Sequence, residues 1–269
     1  MSFGAKKFRL LSLHVAGAAL FGLAACSSSS SRPPAEEPRP EAPPVAQLLA
    51  QAEALYAQRE DLARVREAVK LLRQARVADP GNYDATWRSA KFSYYVASHE
   101  AERDAREAAF RQGIEAGEAA VRLQPDRPEG HFWLGANLGA HAQSKGALSA
   151  LSSVDAIRRE MDAVIKADEG YQNGSAHMVL GQIDLELPGV MGGDNKRAVE
   201  RLERGLTFGA QNALLRLRLA EAYLAVRRKE DARKQLNAIL SMKPDPDYLP
   251  EYKEASAEAR RLLDRRFSE

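Results

Sequence analysis

Apolar residues recur along this chain at the three- and four-residue spacing of amphipathic helices, and the helices come in pairs. The clearest pair lies between residues 212 and 244, where Pro244 ends the second helix. Two antiparallel helices approach closely only if a small residue lies at their crossing, and Ala220 and Ala232 supply one each. The larger residues that flank these alanines at helical spacing are Leu219, Tyr223, Leu236 and Ile239.

This pattern resembles the tetratricopeptide (TPR) repeat, a helix–turn–helix unit that cannot bury its apolar face without neighbours. Its second-helix signature recurs in four further places, beginning at Ala68, Gly113, Ile157 and Ala198. The resemblance implies an all-α fold, a right-handed TPR-like solenoid of about five helix pairs over residues 45–248. Residues 249–269 are expected to form a C-terminal capping helix.

The inner three repeats are longer than the outer two, and the extra residues fall at the same turn. The distance from the first helix to the second is 13 residues for Leu219–Ala232 but 23 for Ala90–Gly113. In the second repeat we expect both helices to lengthen, and in the third a loop or short irregular helix within residues 139–155. In the fourth, Pro188 and nearby glycines predict a turn, after which Asp194 caps the next helix.

The N-terminus predicts a lipoprotein signal over residues 1–25. Lys6, Lys7 and Arg9 precede an apolar stretch that ends in LAAC, and this ending resembles a bacterial lipobox. The resemblance implies that Cys26, the single cysteine of the chain, carries lipid and anchors the protein in the membrane; an ordinary signal peptide is the alternative. Ser27 favours the outer membrane, facing the periplasm, by resemblance to Gram-negative lipoproteins. Residues 26–44 are rich in serine and proline and predict an extended tether.

Composition and charge narrow the function further. Removal of the basic signal segment leaves the chain near neutral, so no electrostatic footprint for nucleic acid is present. The chain has no HExxH, P-loop or GxSxG motif, and we expect neither cofactor nor metal nor enzymatic activity. His131 and His177 occupy equivalent first-helix positions and are interpreted as packing residues. The MGGD segment at 191–194 is read as a turn and cap, with an anion cradle as the less favoured alternative.

A narrower resemblance lies in the inner repeats. The order HFWLGANLG (131–139), GSAHMVLG (174–181) and LPGVMGGDNKRAVERLERGL (187–206) is similar to that of T-component (TatT-like) proteins associated with TRAP-type transporters. The resemblance covers roughly residues 45–267. It implies a periplasmic lipoprotein that partners a substrate-binding protein and helps present small hydrophobic or organic-acid ligands. A similar degenerate helical pattern occurs in eukaryotic microtubule-dynamics regulators.

One stripe on a first helix suggests where binding occurs. Trp133, Asn137 and His141 follow one helical side, opposite Leu134. First helices line the concave face of TPR stacks, so this stripe predicts a ligand or partner groove, with Phe92 and Tyr95 of the preceding repeat facing it. The alternative is that Trp133 packs against the next repeat.

The sequence therefore predicts a membrane-anchored binding protein of the bacterial cell envelope. The first hypothesis is that it assists a periplasmic substrate-binding protein in uptake of a small organic ligand. The second is an envelope assembly scaffold that holds a peptide or protein partner in its TPR groove. An enclosed apolar pocket near Trp133 favours the first hypothesis, and an open groove with a polar floor favours the second. A homo-oligomer is left open.

Overall fold

The structure is a computed structural model that describes residues 43–267. Within these residues eleven α-helices and two short 3-10 helices are present, and there is no strand. The predicted signal peptide, Cys26 and all but the end of the predicted tether lie outside the described residues. The predicted all-α, TPR-like solenoid is confirmed.

Five antiparallel helix pairs follow one another, and a single helix comes last. Each helix packs mainly on its neighbours in the chain, as expected for a solenoid. The helices are α1 (Val45–Tyr56), α2 (Leu62–Ala78), α3 (Tyr83–His99), α4 (Arg103–Leu123), α5 (Pro128–Lys145), α6 (Ala147–Ala167), α7 (Tyr171–Glu186), α8 (Asn195–Leu206), α9 (Ala213–Ala225), α10 (Lys229–Ser241) and α11 (Leu249–Phe267).

Small residues allow the helices to approach closely where the sequence predicts it. Ala68, Ala198 and Ala232 are fully buried in the core. A Cβ added at Gly117 of α4 would lie 2.9 Å from the Cα of Leu134 on α5, so only glycine fits there. Side-chain caps begin several helices: Asn82 accepts from the backbone N–H of Ala85, and Asn212 from that of Leu215.

The inner repeats lengthen by extending helices. α4 has 21 residues, whereas α9 and α10 have 13 each, so the prediction for the second repeat is confirmed. The prediction of a loop or short irregular helix in the third repeat is wrong, because α5 and α6 run on with only Gly146 between them. Gly146 has φ +104°, a conformation that glycine adopts without strain and that reverses the chain in one residue.

The fourth repeat contains the predicted turn. A 3-10 helix covers Gly189–Met191, and the Asp194 side chain accepts hydrogen bonds from the N–H groups of Lys196 and Arg197 at the start of α8. The backbone N–H groups of Gly192, Gly193 and Asp194 all donate to backbone carbonyl oxygens. These three donors are therefore not left for an anion, so the structure favours the turn and cap over the cradle.

The last helix packs on α9 and α10 and also reaches the first repeat. Near its start, Glu251 lies 3.7 Å from Arg59, and Lys253 lies 2.7 Å from Glu60. Arg59 and Glu60 are both in the turn between α1 and α2. The two ends of the solenoid therefore meet. None of the helices in residues 43–267 combines the length and apolar character needed to cross a lipid bilayer.

Candidate binding groove

The first helices of the repeats and the start of α11 surround a groove of about 740 Å³. We call it the inner groove. It draws its walls from α1, α3, α5, α7 and α9, with the segment from Met242 to Glu254 along one edge. Helix periodicity selects the lining: on α5, Trp133, Ala136, Ala140 and Gln143 follow one another at three- and four-residue steps. A volume of this size accommodates a small organic ligand or a short peptide segment.

Aromatic rings form one end of the inner groove. Tyr94 and Trp133 have ring centroids 5.7 Å apart, and Phe132 meets Trp133 edge-on at 5.0 Å. Tyr56 of α1 lies on the same wall, and its ring faces the ammonium of Lys91 at 4.7 Å. Burial raises the pKa of the Tyr56 and Tyr94 hydroxyls, so both remain protonated at neutral pH. This end offers apolar area with two positive charges, that of Lys91 and that of Arg59, which pairs with Glu251.

Amide side chains line much of the remaining wall. An amide both donates and accepts hydrogen bonds, as a peptide group does. The wall is therefore suited to groups with the same two-way chemistry. The groove amides are Gln143, Gln172, Asn173, Gln182 and Gln211; Asn212 also lines the wall, but its amide is engaged by the backbone of Leu215 and Asn173.

A left-handed segment shapes the groove at the start of α7. Gln172, Asn173 and Gly174 have φ of 50°, 55° and 74°, and such runs are costly for residues with side chains. Close packing fixes them: a Cβ on Gly174 would lie 2.4 Å from the Gly205 carbonyl oxygen. Asn212 also donates to the Asn173 carbonyl oxygen at 3.3 Å. Strained backbone that is held in place in this way is typical of binding sites.

The structure places only one of the five predicted groove residues on the groove wall. Trp133 lines it, but Phe92 is fully buried and stacks on Tyr56 at 4.0 Å between ring centroids. Tyr95 is also buried, and it stacks on His99. The prediction for α3 is thus displaced by one residue, because Lys91 and Tyr94 face the groove instead.

Asn137 and His141 turn away from the groove towards the preceding repeat. Asn137 is fully buried, and its Nδ2 donates to the carbonyl oxygens of Ala90 and Trp133. A Cβ added at Gly113 would overlap the Asn137 amide, so the glycine makes room for it. His141 Nε2 lies 2.8 Å from a carboxylate oxygen of Glu107 on α4. Both side chains join helices and are not available to a ligand in the groove.

A buried charge cluster that the sequence did not predict lies between α6, α7 and α8. The carboxylate of Asp184 on α7 is fully buried and lies within 3.0 Å of guanidinium nitrogens of Arg158, Arg197 and Arg201. Burial alone would raise the pKa of Asp184, but the Arg197 hydrogen bonds and the neighbouring arginine charges hold it below its usual value. Arg158 and Arg197 also donate to the Gly192 carbonyl oxygen, so the cluster fixes the turn before α8.

The two equivalent histidines are packed, and each also contacts a glutamate. His131 Nδ1 lies 2.6 Å from Glu160, and His177 Nε2 lies 3.0 Å from Glu169. Their interpretation as packing residues therefore left out these glutamate partners. Residues 43–267 contain no group of three or more candidate ligand side chains placed to hold a metal ion.

Two family models match the chain in succession. The model described as "Regulator of microtubule dynamics protein 1-3" matches residues 48–186, more than half of the 269-residue chain. The chain belongs to this family. A tetratricopeptide repeat model matches residues 191–259, which include α8, the last helix pair of α9 and α10, and the first half of α11. The TPR resemblance noted in the sequence is confirmed. A search of curated proteins finds no match.

Solved structures of TPR proteins resemble the fold. TTC0263, a TPR protein of Thermus thermophilus, superposes with a TM-score of 0.58 at 19% identity, covering 79% of this chain and 98% of that one. PilF of Pseudomonas aeruginosa gives a TM-score of 0.55 at 16% identity, covering 83% of this chain and 91% of that one. At these identities the likeness concerns the fold alone.

Proposed function

We propose that this protein is a lipid-anchored scaffold of the bacterial cell envelope that binds an extended polypeptide segment in its inner groove. The observation that carries the proposal is the amide-lined wall beside an aromatic end. Amide side chains satisfy the N–H and C=O groups of an extended main chain, while aromatic rings give apolar side chains a place to pack. The TPR-type fold is that of an interaction scaffold, and the protein acts by binding, without a catalytic step.

The shape of the groove favours a peptide over a fully enclosed small ligand. The groove runs past five inner helices and α11, and charged side chains such as Arg218 and Glu186 stand on its wall. A polar wall of this extent leaves a small apolar ligand partly in contact with water, whereas a peptide uses it along its length. A protein or peptide partner of this kind is the one expected under the envelope-scaffold hypothesis from the sequence.

The location is part of the proposal and rests on the sequence. The LAAC ending at Cys26 and the tether behind it predict a lipid anchor, with the domain facing the periplasm. The family name concerns microtubule dynamics in the proteins for which it was given. For a bacterial envelope protein, the shared property is the binding scaffold and not its target.

A fractionation experiment tests the location. The wild-type chain is expected in the outer-membrane fraction, and Cys26→Ala is expected to leave it. Metabolic labelling with an alkyne fatty acid should mark the wild type and not the variant. A variant that stays in the membrane fraction contradicts the lipid anchor.

Peptide selection tests the groove. A random peptide library is panned against the immobilised wild-type domain, and the selected peptides are measured by fluorescence anisotropy. Ala136→Trp, which fills the groove from α5, is expected to abolish their binding. Val77→Trp is the matched control, because Val77 is 77% exposed on the outer helix α2. The proposal is contradicted if no peptide is selected, or if every selected peptide binds Ala136→Trp as tightly as the wild type.

The transporter hypothesis is a second candidate, and the aromatic end of the groove favours it. Tyr94, Phe132 and Trp133 surround a space beside Lys91 that suits a small aromatic or aliphatic acid. On this hypothesis the protein presents such a ligand to a periplasmic substrate-binding protein of a TRAP-type transporter. Native mass spectrometry of protein purified from its own cell envelope is the test: a bound small organic molecule, lost in Ala136→Trp, favours this candidate over the peptide.

A further inference from the structure

Lys91 lies at the aromatic end of the inner groove without an acidic partner. Its ammonium lies 4.7 Å from the ring centroid of Tyr56 and 6.0 Å from that of Trp133. Within residues 43–267 no carboxylate oxygen comes within 4.0 Å of this nitrogen, whereas most other charged side chains near the groove are paired. Lys91 is the charge at this end of the groove that the fold does not neutralise.

The two carboxylates whose charges act on Lys91 are already engaged by arginines. Glu53 lies 2.6 Å from Arg88, and Glu251 lies 3.7 Å from Arg59. Arg88 holds Glu53 by a hydrogen bond from its Nε. The contact of Glu251 with Arg59 is too long for a hydrogen bond, but Glu251 still lies closer to Arg59 than to Lys91. The arrangement keeps the ammonium open to whatever enters the groove.

An ammonium in this position is costly in the empty protein. Burial removes part of its water and lowers the pKa of Lys91, and the rings of Tyr56 and Trp133 offset only a fraction of the loss. A carboxylate that reaches Lys91 would replace the lost water with a charge-assisted hydrogen bond in a partly dry site. An anionic group at this point should therefore bind the groove more tightly than a neutral one.

The remaining acidic side chains of the groove do not oppose this reading. Glu186, Asp245 and Glu254 are exposed, and water and salt screen charges in such positions. Tyr94 and Trp133 beside Lys91 offer apolar area to the residue next to the carboxylate. Charge and shape together describe an acidic residue with an apolar neighbour.

We propose that Lys91 is the specificity residue of the inner groove, and that it binds a carboxylate of an acidic peptide segment whose neighbouring apolar side chain packs on Tyr94 and Trp133. This inference rests on the proposed peptide-binding function. Small carboxylic acids carry the same chemistry, and the experiment below separates the two sources.

The test repeats the peptide selection with charge variants of Lys91. Wild-type selections are expected to be enriched in Asp or Glu next to an apolar residue, and Lys91→Glu selections in Lys or Arg. Lys91→Met keeps an unbranched side chain of nearly the same length without its charge. It is expected to weaken binding of the wild-type peptides by about 10- to 100-fold, the range for loss of a charge-assisted hydrogen bond. Lys70→Glu, on the outer helix α2, is the matched control and should change nothing.

Each outcome decides between the two levels of the proposal. One outcome is that the selected peptides fail to bind Ala136→Trp, show no acidic preference and bind Lys91→Met as tightly as the wild type. This result overturns the role of Lys91 and leaves the scaffold function standing. A second outcome is that the wild type binds phenylacetate but not phenylacetamide, that Lys91→Met loses this binding, and that the peptides show no acidic preference. This outcome assigns the lysine to a small acid and also overturns the peptide inference. Circular dichroism and thermal unfolding establish that each variant is folded before its binding is compared.

Discussion

Lys253 Nζ lies 2.7 Å from Glu60 Oε1, although 193 residues separate them along the chain. The contact joins the start of α11 to the turn after α1, and the Arg59–Glu251 pair lies beside it. We call these two ion pairs the seam. The start of α11 also forms one edge of the inner groove, so the seam attaches this edge to the first repeat.

Charge reversal at the seam should loosen the start of α11. Both partners of the Lys253–Glu60 pair are exposed, so little change in global stability is expected. Glu60→Lys should instead raise amide hydrogen exchange in the first turns of α11 by about threefold or more, since local opening there depends on few contacts. Hydrogen exchange with mass spectrometry measures the change.

The reciprocal variant is the control for this prediction. Lys253→Glu combined with Glu60→Lys restores opposite charges and should return the exchange rate towards that of the wild type. Exchange that stays fast in the double variant, or does not change in the single one, means that the seam pair does not hold α11.

Removal of the Asp184 charge should destabilise the whole domain. Asp184→Asn leaves Arg158, Arg197 and Arg201 without their common carboxylate, and breaking such a buried group costs about 3 kcal/mol. Urea unfolding measures the loss. Asp162→Asn on the exposed side of α6 is the matched control, with no expected effect.

The same residue makes a prediction for acid. Since the pKa of Asp184 is lower in the folded protein than in the unfolded chain, its stabilisation is complete above about pH 4 and is lost as the pH falls through the folded value. Wild-type stability should therefore fall more steeply below pH 4 than that of Asp184→Asn. Parallel curves for the two proteins would show that the carboxylate is not coupled to folding.

The repeat fold could be predicted from sequence because packing constraints recur. A small residue must lie wherever two helices cross, so Ala68, Ala198 and Ala232 mark their helices without knowledge of distant contacts. The order of five helix pairs and a last helix follows from this pattern, as do the turn at Pro188 and the cap at Asp194. These features depend on residues close to one another in the chain.

The groove could not be assigned in the same way, because its lining depends on small rotations of each helix. From Trp133, a step of four residues turns by about +40° and a step of three by about −60°. The stripe through Asn137 and the one through Ala136 therefore diverge to opposite sides, and only the latter lines the groove. On α3 the sequence predicted Phe92 and Tyr95 in the groove, whereas the residues that line it are Lys91 and Tyr94, one position earlier in each case. The Asp184 cluster includes Arg158, 26 positions earlier in the chain, and has no local signal.

His131 and His177 should titrate on opposite sides of the usual histidine pKa. The hydrogen bond that His131 donates to Glu160 raises the pKa of His131, whereas burial lowers that of His177. Glu169 raises the pKa of His177 too little to offset burial, because it already binds Arg204, which holds the pKa of that carboxyl at about 2. NMR of the imidazole protons should give a midpoint above about 6.5 for His131 and below it for His177.

The stability consequences of the two histidines have opposite signs. For His131 the contribution is complete below about pH 6.5 and is lost as the pH rises through the higher folded value. For His177 the folded protein favours the neutral ring, so stability falls as the pH drops below about 6.5. His131→Gln and His177→Gln identify the signals and should each remove their own part of the pH dependence. Midpoints in the reverse order would contradict the assignment.

Gly113 and Asn137 should show strong energetic coupling. A methyl group at residue 113 would overlap the Asn137 amide, so Gly113→Ala should destabilise the domain by about 1–3 kcal/mol despite the better helix propensity of alanine. Asn137→Ala alone should cost about 1–3 kcal/mol, because it leaves the buried Ala90 carbonyl oxygen without this donor. In the double variant the methyl group at residue 113 no longer meets an amide at residue 137, so the total cost should be smaller than the sum of the single costs. Urea unfolding of all four proteins measures the coupling, and strict additivity would show that Asn137 does not occupy the space beside Gly113.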